Sequence, residues 1–204
     1  MEQEKAKQIY ESLYQEVNGR ALSLEGREKM QLSSKSYVYG EIVFDPFVQL
    51  IKDANPPSNG VFCDCGSGTG KAVFVAHLAF DFKRAIGIEL VDNLYEASAV
   101  VLERYEKEVR PTIAKEIGDR KIGFYHGSFL DGDFSEVDLV FMNSTCFQED
   151  LMEAIELNLD FMKIGSQVIS LSKSLRSPRF EMYRQQMYEF SWGQATGFFH
   201  RKIS

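Results

Sequence analysis

From residue 61 onward, short apolar runs alternate with longer stretches in which apolar residues recur every three or four positions. Runs of four to six apolar or β-branched residues read as buried strands, and the three-to-four spacing reads as helix. The pattern predicts strands over 61–65, 85–90, 122–126, 137–142 and 167–171, with helices over 72–79, 93–117 and 148–162 between them. Pro111 should break or kink the second of these helices, because proline has no N–H and clashes with the preceding turn. Gly165 is expected to close the third. Two later segments, 186–192 and 196–203, flank a glycine-containing turn and predict a closing hairpin. Ahead of all this, Ile9, Tyr10, Leu13, Tyr14 and Val17 form a helical stripe over 2–17, followed by expected helices at 22–31 and 44–53. Strands alternating with helices imply a mainly parallel sheet covered on both faces, and the hairpin adds an antiparallel element. The chain divides on this reading into an N-terminal helical extension, 1–36, and a ligand-binding α/β domain, 37–204.

The junction between the first strand and its helix carries the most informative chemistry. It reads Asp64-Cys65-Gly66-Ser67-Gly68-Thr69-Gly70, with Glu89 closing the second strand 23 positions after Gly66. Alternating glycines let the backbone turn sharply and let a ligand approach it. A dinucleotide fingerprint would need G-x-G-x-x-G, but its third glycine position holds Lys71. A carboxylate at the end of the second strand can accept hydrogen bonds from both hydroxyls of a ribose. Together the turn and Glu89 predict S-adenosyl-methionine as cofactor. In sheets of this kind ligands lie across the carboxyl ends of the strands, so Ser128-Phe129 and Asn143, at the ends of the third and fourth strands, should face the same crevice.

Composition adds exclusions more than assignments. Three cysteines, two of them (Cys63 and Cys65) on a predicted buried strand, fit packing thiols in a reduced intracellular protein better than a zinc site, and no metal is expected. No apolar run reaches about 18 residues, so no membrane-spanning segment is expected. The N-terminus is charged and helical, unlike a secretory signal. The net charge is −7, with the acidic excess in the middle of the chain and a modest basic excess after residue 163. That balance argues against unaided nucleic-acid binding. His77, His126 and His200 show no ligand or triad spacing.

Three further stretches, read with the glycine turn, resemble the catalytic domain of the disruptor-of-telomeric-silencing histone lysine methyltransferases. They are Tyr39-Gly40-Glu41, then Gly127-Ser128-Phe129-Leu130 with Val140-Phe141-Met142-Asn143, and finally Ser191-Trp192 with Phe198-Phe199-His200. They cover roughly residues 37–204 in the family's order. The resemblance implies a class I methyltransferase fold, Rossmann-like and seven-stranded, that moves a methyl group from S-adenosyl-methionine to a lysine amine. It implies that Asp64, Gly66, Ser67, Gly68 and Gly70 line the methionine end of the cofactor, with Glu89 on the ribose and Ser128 and Phe129 on the adenine. Tyr39, Gly40 and Glu41 would form a lid, with Asn143 and Tyr39 beside the transferring methyl. Phe147, Trp192 and Phe198 would wall the lysine channel, and the partner would be a protein substrate, a histone by family resemblance. The chain departs from the family pattern where Ser128 replaces an acidic residue and where Asn143-Ser144-Thr145 replaces Asn-Asn-Phe.

Methyl transfer is an in-line displacement that needs positioning more than acid or base catalysis, and well-oriented intramolecular reactions reach effective molarities of about 10⁵ M or more. An apolar channel also favours the neutral amine, which ordinarily titrates near ~10.4. Two other readings of the same residues stay open at this point. One is a class I methyltransferase acting on a non-histone protein or small amine. The other is a relative that binds the cofactor without catalysis.

Overall fold

The computed structural model describes every residue from 1 to 204. After α1 (Gln3–Tyr14), α2 (Gly19–Lys29) and α3 (Phe44–Ala54), the chain alternates β1 (Val61–Cys65), α4 (Lys71–Ala79), β2 (Arg84–Glu89), α5 (Asp92–Arg104), α6 (Ala114–Ile117) and β3 (Lys121–His126). It continues through β4 (Leu139–Met142), α7 (Glu149–Leu159), β5 (Gln167–Leu171) and the hairpin β6 (Phe180–Phe190) and β7 (Gly193–Lys202). The seven strands order as β3-β2-β1-β4-β5-β7-β6. The first five run parallel, and β7 enters antiparallel between β5 and β6. The expected seven-stranded architecture is therefore present.

Chain direction across the sheet explains where a ligand can lie. From β1 the chain moves outward through β2 to β3, then returns to β4 on the other side of β1. The connections leave opposite faces there, and a crevice opens beyond the carboxyl ends of β1 and β4. All five residues of β1 and all four of β4 are buried, as strands covered on both faces require. On one face α1, α3 and α4 share a single core. Phe47 of α3 meets Phe141 of β4 edge-on at 4.8 Å, and Tyr14 of α1 meets Phe74 of α4 at 5.8 Å. The opposite face is closed by α7, through Met152, Ile155 and Leu159.

Several boundaries differ from the sequence expectation for identifiable reasons. α2 begins three residues early because Asn18 caps it, its side chain accepting the Ala21 N–H. The helix after Glu89 loses regular geometry at Tyr105–Val109, a π-turn, and continues as a 3₁₀ turn through Pro111. Gly165 does not cap α7, which ends at Leu159 with Asp160 as its cap. Gly165 instead sits at φ 92° in the following turn, donating its N–H to the Lys202 carbonyl. β6 starts six residues before the expected 186, because its outer face is a solvated edge of charged and polar residues that hides the strand period. Ser191 and Trp192 form the hairpin tip rather than the end of a strand. No helix is long and apolar enough to cross a membrane.

Candidate cofactor and active site

The turn after β1 is bound to β2 before any ligand arrives. The N–H groups of Gly66 and Ser67 both donate to the Ile88 carbonyl, at 2.9 and 3.0 Å. Gly66, Gly68 and Gly70 all have positive φ, of 81°, 56° and 87°. At Gly68 the need is double, since a Cβ there would also stand 2.3 Å from the Tyr39 ring. The Ser67 side chain packs toward Gly87 on β2, where a Cβ would stand 2.5 Å from Ser67 Oγ. That hydroxyl is buried and has no hydrogen-bond partner.

Glu89 closes the clasp. Its Oε2 accepts the Gly68 N–H at 2.7 Å and its Oε1 accepts the Val91 N–H at 2.7 Å. The residue is 6% exposed. Burial pushes its pKa up, while the N–H groups of Val91, Gly68 and Leu90 pull the other way. Asp64 contrasts with it, being 3% exposed and lining a small cavity over the turn, with no hydrogen bond that pulls its pKa down. Burial first, and the nearby Glu89 charge second, push its pKa well above the carboxylate range. A buried carboxyl left this way is costly unless a cationic or donor ligand meets it.

Two adjoining cavities open over this turn. The larger encloses roughly 800 Å³ together with its open mouth and is lined by Glu89, Leu94, Ser128, Phe129, Phe147 and Leu151, among others. The smaller, roughly 310 Å³, holds Asp64, Ser67, Glu41 and Lys71. Tyr39, Gly40, Gly66 and Asn143 line both and stand where the two meet. Phe147 stacks against Phe129 with centroids 5.6 Å apart and planes at 23°, so it belongs to the wall that holds Phe129. Ser128 accepts the Leu130 N–H through its own hydroxyl, which orders the turn carrying Phe129.

The segment Tyr39-Gly40-Glu41 lies across the glycine turn. The Tyr39 hydroxyl donates to Glu41 Oε1 at 3.0 Å and lies 3.0 Å from Thr69 Oγ1. Burial and the adjacent Glu41 raise its pKa, so it stays a neutral phenol. Glu41 Oε2 pairs with Lys71 Nζ at 2.6 Å in a largely buried ion pair. From the far side, Ser191 Oγ donates to the Glu41 carbonyl at 2.8 Å. Trp192 packs on Gly40, where a Cβ would stand 2.9 Å from the indole, and stacks on Phe190 at 4.8 Å and 4°. Asn143 Nδ2 donates to the Gly40 carbonyl at 3.4 Å, and Thr145 Oγ1 donates to Asn143 Oδ1 at 3.0 Å. The hairpin tip, this segment and the end of β4 therefore converge on one spot.

Of the residues singled out from sequence, Tyr39, Glu41, Asp64, Gly66, Ser67, Glu89, Ser128, Phe129, Asn143 and Phe147 line one or both cavities. Gly68 and Gly70 shape the turn beneath them. Trp192, 36% exposed, stands over Gly40 at the rim. Phe198 is not brought to either cavity; it sits in the middle of β7 opposite Ser170. Sequence reasoning missed Tyr14, Thr69, Leu94, Leu151 and, as a site residue, Lys71. Only Lys71 carried a local signal, directly after the third glycine.

The family described as "Histone methylation protein DOT1" matches residues 23–192. The chain belongs to that family. A Kluyveromyces lactis protein named "Histone-lysine N-methyltransferase, H3 lysine-79 specific" is 28% identical over 78% of this chain and 28% of its own length. A Dictyostelium discoideum protein of the same name is 34% identical over 82% of this chain and 10% of its own length. The chain thus spans under a third of either relative. Among solved structures, an RNA methyltransferase from Salinibacter ruber in complex with S-adenosyl-L-homocysteine superposes with a TM-score of 0.56 at 20% identity, covering 78% of this chain and 92% of that one. The Bacillus subtilis tRNA methyltransferase TrmK does so at 0.58 and 14%, covering 79% and 68%. At such identities these two establish the class I methyltransferase fold.

Proposed function

We propose that this DOT1-family chain is an S-adenosyl-methionine-dependent protein-lysine methyltransferase, residues 37–204 forming its catalytic domain. The observation that carries the reading is the pairing of Glu89, fixed to the turn by two N–H groups, with Asp64, a buried carboxyl that lines the smaller cavity. A ribose diol fits the first. The ammonium of an amino acid fits the second, and the N-terminus of α4 beside it favours the ligand's carboxylate. Phe129 and Phe147 offer an aromatic wall to a purine in the larger cavity.

When bound, the cofactor supplies an electrophilic methyl on its sulfonium. The chain's own residues do the rest by position. Tyr39, Gly40 and Asn143 occupy the junction of the cavities, where the reacting carbon would sit. Asn143, held between Thr145 and the Gly40 carbonyl, presents an amide that can orient an approaching amine. Trp192 offers an apolar wall at the rim. It favours the neutral amine and excludes water from its path. Nothing here requires a general base beside the acceptor.

The family and the relatives' names favour a histone as acceptor, and lysine 79 of histone H3 is the first residue to test. A histone acceptor would set the site of action in the nucleus. The acidic middle of the chain, within a net charge of −7, suits a basic protein partner and gives little support to direct nucleic-acid binding. Incubation with methyl-labelled cofactor and nucleosomes, free histones or a cell lysate tests this. Lysine labelling in histone H3 supports the proposal. Labelling confined to lysate proteins would redirect it to another acceptor, and tight cofactor binding without transfer to anything would remove the catalytic claim.

A further inference from the structure

The family match begins at residue 23, yet the helix that precedes it reaches the centre of the site. The Tyr14 hydroxyl, at the end of α1, donates to the Thr69 carbonyl at 2.9 Å, between the second and third glycines of the turn. That carbonyl shares a rigid peptide plane with the Gly70 N–H, and the N–H donates to the Ser67 carbonyl at 2.8 Å. One peptide of the glycine turn is thus held from both sides, and Tyr14 supplies one of the two holds. The same ring lies 5.4 Å from Lys71 Nζ. The first residue of α2 adds a second contact: a Cβ on Gly19 would stand 2.5 Å from both Tyr39 Oη and Glu41 Oε1. α1 is tied in turn to α5, with Arg104 donating to the Leu13 carbonyl.

Flexible glycine peptides sample several orientations unless something outside the turn selects one. We propose that Tyr14 is a positioning residue for the cofactor turn, so that α1 and the start of α2 belong to the ligand-binding unit and are ordered with it. The inference rests on the cofactor reading above but makes a claim that reading does not need. Tyr14 lines neither of the two cavities. It acts only through the Thr69 peptide.

The test uses the full chain and S-adenosyl-homocysteine. Tyr14→Phe keeps the ring and its packing on Phe74 and removes one hydrogen bond. The dissociation constant should rise about three- to tenfold, the scale of one such bond, and in turnover the loss should fall on KM for the cofactor more than on kcat. An unchanged dissociation constant, whatever happens to the melting temperature, overturns the proposal and leaves the cofactor assignment standing. Amide exchange on the unaltered chain gives a second route. Ligand should slow exchange in residues 3–29 as well as in 64–71 and 89–94, and slowing confined to the latter two overturns the proposal. If the unaltered chain binds no adenosyl ligand at all, the cofactor reading fails and this inference with it.

Discussion

Replacing Glu89 tests the clasp most sharply, because the structure separates its two tasks. The carboxylate holds the Gly68 and Val91 N–H groups at 2.7 Å each, and it is proposed to accept both ribose hydroxyls with its remaining lone pairs. Glu89→Gln keeps the shape and one acceptor oxygen but turns an NH₂ toward one of those N–H groups. A buried donor left without an acceptor costs about 1–3 kcal/mol of stability. Part of that is offset, since burial already disfavours the Glu89 charge. Binding has no such offset. Hydrogen bonds to a charged group contribute about 1.5–3 kcal/mol, so losing the charge should weaken adenosyl-homocysteine about 10- to 100-fold. Titration calorimetry reads the affinity and thermal unfolding reads the stability. A Glu89→Gln protein that melts lower but binds the ligand as tightly as the unaltered chain would refute the ribose assignment and leave Glu89 a structural clamp.

Asp64 predicts a pH dependence of binding. Its pKa is raised by burial and by Glu89, and a cationic ligand end would lower it. Binding should therefore release protons, with affinity rising as pH increases through the raised value; Asp64→Asn should bind weakly and flatten the profile, as seen by calorimetry in buffers of different ionisation heat. Gly68→Ala meets a positive φ and the Tyr39 ring together. It should displace the segment at 39–41 and weaken ligand binding at least tenfold while the far-ultraviolet spectrum stays native, and wild-type affinity would count against the close packing described. His77 is pushed down to about 3 and His200 to about 4, both by burial first. Groups with depressed folded pKa values stay neutral in the folded state while the unfolded chain takes up protons below about 6.5. They therefore cost stability progressively as pH falls from there towards 4, whereas the raised carboxyls Asp64 and Glu89 act in the opposite sense. His77→Gln should accordingly lose less stability than the unaltered chain on acidification, and parallel denaturant midpoints would contradict the assignment.

The central parallel strands β1, β4 and β5 could be read from the chain because each is buried along its whole length and so spells a mostly apolar run. The first half of β6 could not, since Glu181, Arg184 and Gln185 on a partly solvated edge strand break up the apolar positions Phe180, Met182 and Tyr183. The clasp was legible for a different reason: glycines at positive φ and an acid at a strand end are local chemical requirements. Residues whose role depends on a distant partner left no such mark. Tyr14 reads as one more aromatic in a helical stripe until the Thr69 carbonyl is seen against its hydroxyl. Phe198 errs the other way. As part of an aromatic run near Trp192 it drew a channel role, but the hairpin tip alone reaches Gly40, and position 198 lies five residues into β7. Phe147 drew the same role and instead backs Phe129.

A crystal structure of the chain grown with S-adenosyl-homocysteine tests the central claim most directly. The account predicts the ribose hydroxyls on Glu89, the purine against Phe129, the ammonium at Asp64, and the sulfur facing the opening between Asn143, Gly40 and Trp192. A ligand seated elsewhere, or lying in the crevice with its sulfur turned away from that opening, would contradict it.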